Sequence, residues 1–208
     1  DRNGTRLVRG TLDLTTALLD HRALTHRALS GEDGIQSALL ASRARLAASV
    51  KALDAQIAAL PGYQLTEHWQ GVRARIDTLL ADKSPRGRAA ALAFHGEQVE
   101  QARRLMLLAA ERSGLLLEST AATYFLVDLS VSHLIPWIDR LAEVSAVGGG
   151  LLTRGDATRV EKSAILALGQ STQRQLGTIE SKIAALLRAG VTLPGSWDTA
   201  RTGSEQFI

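Results

Sequence analysis

Cysteine is absent from all 208 residues, which excludes a disulfide framework and any thiolate metal site. A bacterial extracytoplasmic compartment tolerates that absence as well as a cytoplasm does, so it leaves location open. Aromatic residues make up only 4% of the chain, and no basic run occurs in it. Lysine and arginine number 24 against 21 acidic residues, a formal net charge of +3. The signs alternate, as in Arg43, Arg45, Lys51 and Asp54 or in Asp139, Arg140 and Glu143, which is the pattern of solvated helix faces. With no recognition motif beside it, this composition argues against a nucleic-acid partner. No stretch comes near the roughly 20 apolar residues that a bilayer-spanning helix needs. The charged opening DRNGTRLVRG is not a signal peptide. The missing initial methionine, and a final Gln206, Phe207 and Ile208 that read as the opening of another helix, lead us to expect a piece of a longer chain with membrane segments flanking it.

What is present in quantity is alanine, leucine, arginine and glutamate or glutamine, all strong helix formers, while β-branched residues are sparse and never alternate as in a strand. Breakers divide the chain at Ser30 to Gly34, Pro61-Gly62, Asp82 to Pro85, Gly148 to Asp156 and Gly190 to Gly195. The spacing predicts helices over 3–30, 34–60, 65–82, 86–118, 120–152 and 156–189, with a seventh beginning near 197. The fold expected is all-α, an elongated antiparallel bundle of six to seven helices. Pro136 should kink the fifth, because it lacks the N–H and crowds the preceding turn. If both ends return to one membrane, an even number of antiparallel passes is needed. The third and fourth helices, separated only by Asp82 to Pro85, are then expected to run end on end and to divide the bundle into two stacked four-helix modules.

Wound at about 100° per residue, the first helix carries Arg2, Arg6, Arg9, Asp13, Asp20 and Arg27 on one narrow wet face. His21, Arg22, Thr25 and His26 fall among the leucines on the other side. A buried arginine needs a partner, so Arg22 should meet either an internal carboxylate or a bound anion. Tyr124 and Asp128, four apart, are neighbours on the fifth helix. Asp128 is either a surface or pairing carboxylate, or a counter-charge to Arg22 or an acceptor for a ligand. His21 and His26 are five apart, off the spacing that aligns two metal ligands on one helix face, and no cofactor or metal is expected. Ser30 to Gly34 and Gly148 to Gly150 are glycine-rich without a preceding strand or a Gly-Lys-Ser/Thr ending, and read as helix junctions. Trp69, Trp137 and Trp197 read as packing residues. With no nucleophile elbow, kinase signature or carboxylate pair in place, no enzyme is expected.

Two segments resemble the sensor region of methyl-accepting chemotaxis receptors, diguanylate cyclases and histidine kinases. Asp1, Arg2 and Gly4 match its acidic-Arg-x-Gly start. His21, Arg22, Leu24, Thr25, Leu29 and Gly31 match its His-Arg-Gly-Leu-Ser/Thr segment and Leu-x-Gly stop, with Ala23 in place of the usual glycine. In the second segment Tyr124, Phe125, Leu126, Asp128, Pro136 and the run from Gly148 to Gly155 fall in register, while Ser119 to Ala122 stand where the family has aspartates. The layout is similar to helical bimodular receptor domains. The resemblance implies the periplasmic sensor domain of an inner-membrane chemoreceptor, pairing with a second copy through its first helix and binding a small anionic or polar solute. His21, Arg22, Thr25, His26, Tyr124 and Asp128 are the expected ligand-binding residues. A kinase or cyclase sensor domain, or a scaffolding bundle that binds a protein partner, stays open beside it.

Overall fold

The structure, a computed structural model, describes residues 2–117 and 121–207. Asp1 and Ser119 of the family-like segments, the helix ends expected at 118 and 120, and Ile208 lie outside the described residues. Helices α1 (Arg2–Leu29), α2 (Gln36–Ala58), α3 (Thr66–Leu80) and α4 (Arg88–Arg112) are followed by α5 (Ala121–Asp128), which passes through a π turn (Leu129–Leu134) into α6 (Ile135–Arg154). Helices α7 (Arg159–Arg188) and α8 (Ser196–Phe207) complete the chain, and no strand occurs among the described residues. The fold is an all-α helical bundle.

Cross-helix contacts fix the directions. Arg45 of α2 reaches Asp20 of α1, and Trp69 and Arg73 of α3 both reach Asp54 of α2. Arg75 of α3 pairs with Glu97 of α4 at 3.3 Å, while Arg112 at the far end of α4 donates to the carbonyls of Tyr63 and Gln64 just before α3. Helices α3 and α4 therefore lie side by side and antiparallel. The end-on stacking expected of them does not occur, because the turn at Asp82, whose φ is 55°, folds the chain back on itself. Helices α1 to α4 close one up-and-down bundle around Leu7, Leu14, Leu18, Leu46, Leu53 and Ile76, each nearly or fully buried and each contributing roughly 2 kcal/mol by burial. A second core lies beside the first, where Trp137, Leu176, Ile179, Ile183 and Leu186 join α6 to α7 and the partly buried Trp197 of α8 packs on them. Met106, Val131 and Ile135, with Val8 and Leu12, seam the two together, so α1 touches α2, α4 and α6 at once.

Pro136 stands two residues past the end of the π turn. A wider turn there accommodates a ring that cannot donate to the ladder. Helix Ala121–Arg154 is long and apolar enough, by length and composition, to cross a membrane, contrary to the expectation that no stretch is. Its apolar residues are interrupted by Asp128 and His133, so they form no unbroken run. In the bundle this helix packs against α1, α4 and α7.

The glycine run Gly148 to Gly150, expected as a junction, lies inside α6, which ends only at Gly155, where φ is 73°. Helix α7 then begins with a capping box in which the Thr158 side chain accepts from the Glu161 N–H and the Glu161 carboxylate accepts from the Thr158 N–H. Thr158→Ala is expected to cost about 1 kcal/mol, read as a lower urea midpoint at unchanged slope.

Candidate functional site

The face of α1 opposite its arginine strip carries the polar residues inward. His21, Arg22 and His26 are buried, and Thr25, half-buried, donates from Oγ1 to the His21 carbonyl at 2.7 Å. The helix winding alone dictates that placement. Each residue then meets a different neighbour, so the four do not line one cavity.

His21 points at α4. His95 Nδ1 lies 2.7 Å from the Ala91 carbonyl, which only accepts, so that nitrogen carries the proton. Its Nε2 is then the acceptor for His21 Nδ1–H at 2.9 Å, and the rings stack with centroids 5.2 Å apart. His21 Nε2 is left as a buried lone pair without a partner. Burial is the main force that pushes His21 down to about 4, helped by His95 and by Arg43 of α2 and opposed by Asp20 and Asp82. His95 is lowered as well, chiefly by burial, with the Ala91 hydrogen bond opposing and Arg22 adding to the shift.

Arg22 points at α6. Its Nη2 donates to the Asp139 backbone carbonyl at 2.8 Å, and Nη1 lies 2.7 Å from Asp139 Oδ1. That approach is off the hydrogen-bonding direction, since neither Oδ1 nor Arg22 Nε has a directed partner, and the contact is mainly electrostatic. Asp128, the counter-charge considered from sequence, is elsewhere. It binds Lys182 of α7 at 2.6 Å and sits 3.5 Å from His133. Tyr124 is 48% exposed and stacks edge-on with Phe125, so neither residue of that pair joins the α1 row.

His26, 8% exposed, lines a groove of about 580 Å³ between α4 and α6, together with Gly87, Arg88 and Ala90 at the start of α4 and Gly150, Arg154 and Glu161 opposite. The close packing depends on Gly150, where a Cβ would stand 2.8 Å from both His26 Cε1 and Ser30 Oγ. Burial lowers His26 first, then Arg88, with a hydrogen bond to the Ala146 carbonyl opposing and Arg154 and Arg22 lowering it further. Arg154 pairs with Glu161 at 2.7 Å, and that bond, with those from Thr158, holds the Glu161 carboxyl at about 2. A second groove of about 460 Å³ between α3 and α4 contains Arg75 and Arg112, but Glu97 and two backbone carbonyls already engage them.

No family model, curated protein or solved structure matches the chain. No group of three or more His, Asp or Glu side chains gathers as metal ligands among the described residues. Sequence reasoning missed His95, Asp139, Arg88 and Gly150. One signal was present, since Ala91, His95, Gln98 and Ala102 recur at helical spacing and are all buried, which places His95 on the inner face of α4.

Proposed function

We propose that this chain is the ligand-binding sensor domain of a bacterial transmembrane chemoreceptor, placed on the periplasmic side of the inner membrane and binding a small anionic or polar solute. The observation that carries the reading is the central position of α1. It touches three helices and bears a buried polar row, with His21 held by α4, Arg22 by α6 and His26 at a groove between those two. A solute that alters one of these contacts shifts α1 against its neighbours, and a helix running on toward a membrane transmits such a shift. The family-like segments of the sequence point the same way. Pairing of two copies through α1 has the exposed residues Arg2, Asn3, Thr5, Arg6, Arg9, Asp13 and Thr16 to use.

A scaffolding reading draws on a different observation. Leu152 and Val160, with Leu166 two turns further on, are exposed around the tip of the α6–α7 hairpin, where a protein partner could cover them. A thermal-shift screen of organic acids, inorganic anions and amino acids separates the two readings. The sensor reading expects at least one solute to raise the melting temperature saturably, since a ligand that binds only the folded state stabilises it. A flat response across the whole panel would remove the sensor reading.

A further inference from the structure

The groove at His26 has the parts of an anion site, and no residue of the described chain fills that role. Helix α4 starts at Gly87 with no side-chain cap, which leaves the N–H groups of its first turn without a side-chain acceptor, and Gly87 to Ala90 line the groove. The helix dipole adds partial positive charge at that end. Arg88 in the same turn makes no ion pair among the described residues. Across the groove the Glu161 carboxylate is tied to Arg154 and Thr158, so it does not neutralise Arg88.

The independent sign of a ligand is His26. Its ring is more than nine-tenths buried, and Nδ1 has no hydrogen-bond partner. The nearby Ala146 carbonyl favours the charged form of the ring. Nδ1 lies beside Gly150, which with His26 lines the groove, and is 3.3 Å from where a Cβ there would stand. A buried polar nitrogen without a partner, next to an unpaired arginine and an uncapped helix start, is costly unless something binds there.

We infer that this groove binds a compact oxyanion, a carboxylate or a phosphate, between the first turn of α4, the Arg88 guanidinium and the His26 ring. The inference rests on the solute-sensor reading and narrows it to one site and one ligand chemistry. With the Ala146 carbonyl and the anion both favouring the charged ring, the anion draws a proton onto His26. Binding therefore takes up a proton from solution near neutral pH. The anion supplies the negative charge that offsets Arg88 beside the ring, since Arg154 and Arg22 already meet Glu161 and Asp139.

The test titrates the whole chain by calorimetry and thermal shift at constant ionic strength, with inorganic phosphate in one arm and acetate and succinate in another. Sodium chloride and a neutral sugar serve as controls. Saturable binding in one oxyanion arm is expected, and that arm identifies the source. Affinity should fall about tenfold or more in Arg88→Gln, with the melting point of the unliganded protein unchanged, because Arg88 holds nothing else. His26→Gln should abolish proton uptake, read as loss of the dependence of binding heat on buffer ionisation. Arg75→Gln in the other groove should leave both unchanged. Oxyanion binding that survives both Arg88→Gln and His26→Gln would overturn the groove while leaving a solute sensor intact. So would a shift seen only with the neutral sugar, or one that chloride reproduces. No response to any solute would overturn the groove and the sensor reading together.

Discussion

Lowering the pH from 7 toward 4 is expected to strip the folded state of several kcal/mol, beginning well before the carboxylates titrate. His21, His95 and His26 are all buried and all lowered from the ordinary histidine value, His21 to about 4. For each of them the unfolded chain binds a proton at a higher pH than the folded one. Their contribution is thus fully present above about 6.5 and is lost as the pH falls toward the folded value. For His21 alone, a drop from 6.5 to about 4 corresponds to about 3 kcal/mol. His95 and His26 act with the same sign. Urea unfolding at half-unit steps from pH 7 to 5 isolates this effect, because carboxylates held down by partners, such as Glu100 and Glu161, stay ionised throughout that window. The double variant His21→Leu/His95→Leu should lose most of the slope and keep the remainder that belongs to His26. Equal slopes in the variant and the parent would show that the paired rings are not held neutral by the fold.

Removing the carboxylate opposite Arg22 should be about as damaging. The Arg22 side chain is 4% exposed and the Asp139 side chain 31%, so Asp139→Ala strands a desolvated guanidinium whose remaining contact is a backbone carbonyl. Such stranding costs about 3 kcal/mol, or a melting point lower by roughly 6–12 °C for a chain of this size. Arg22→Ala should also lower the melting point with no ligand present, since it leaves a partly buried carboxylate unanswered. That outcome belongs to an internal pair, whereas an arginine held for a solute would leave the unliganded protein as stable or more so. Arg22→Met with Asp139→Leu replaces both charges by apolar groups of similar volume and should recover most of the loss. A double variant no better than Asp139→Ala would count against the pair as the source of the penalty. In the same experiment, Asp128→Asn should leave Arg22 undisturbed, because Asp128 is held by Lys182.

The sequence by itself determined the helical class, most of the element boundaries and the two sides of α1. Helix propensity and a 3.6-residue period act within one segment, and they suffice to send Arg2, Arg6, Arg9 and Asp13 outward and His21, Arg22 and His26 inward. Which side chains meet across helices was decided only by the tertiary structure. Asp139 and Asp128 both lie on the helix from Ala121 to Arg154, and the register of that helix against α1 and α7 puts the first at Arg22 and the second at Lys182. Register depends on how two surfaces interlock, and nothing local to either helix encodes it. Packing equally decided that Gly148 to Gly150 stays helical. Glycine costs a helix roughly 1 kcal/mol per residue, which reads as a stop. Here the missing Cβ at Gly150 lets His26 and Ser30 of the α1 end lie against α6, and close contact between the two segments offsets the local preference of one.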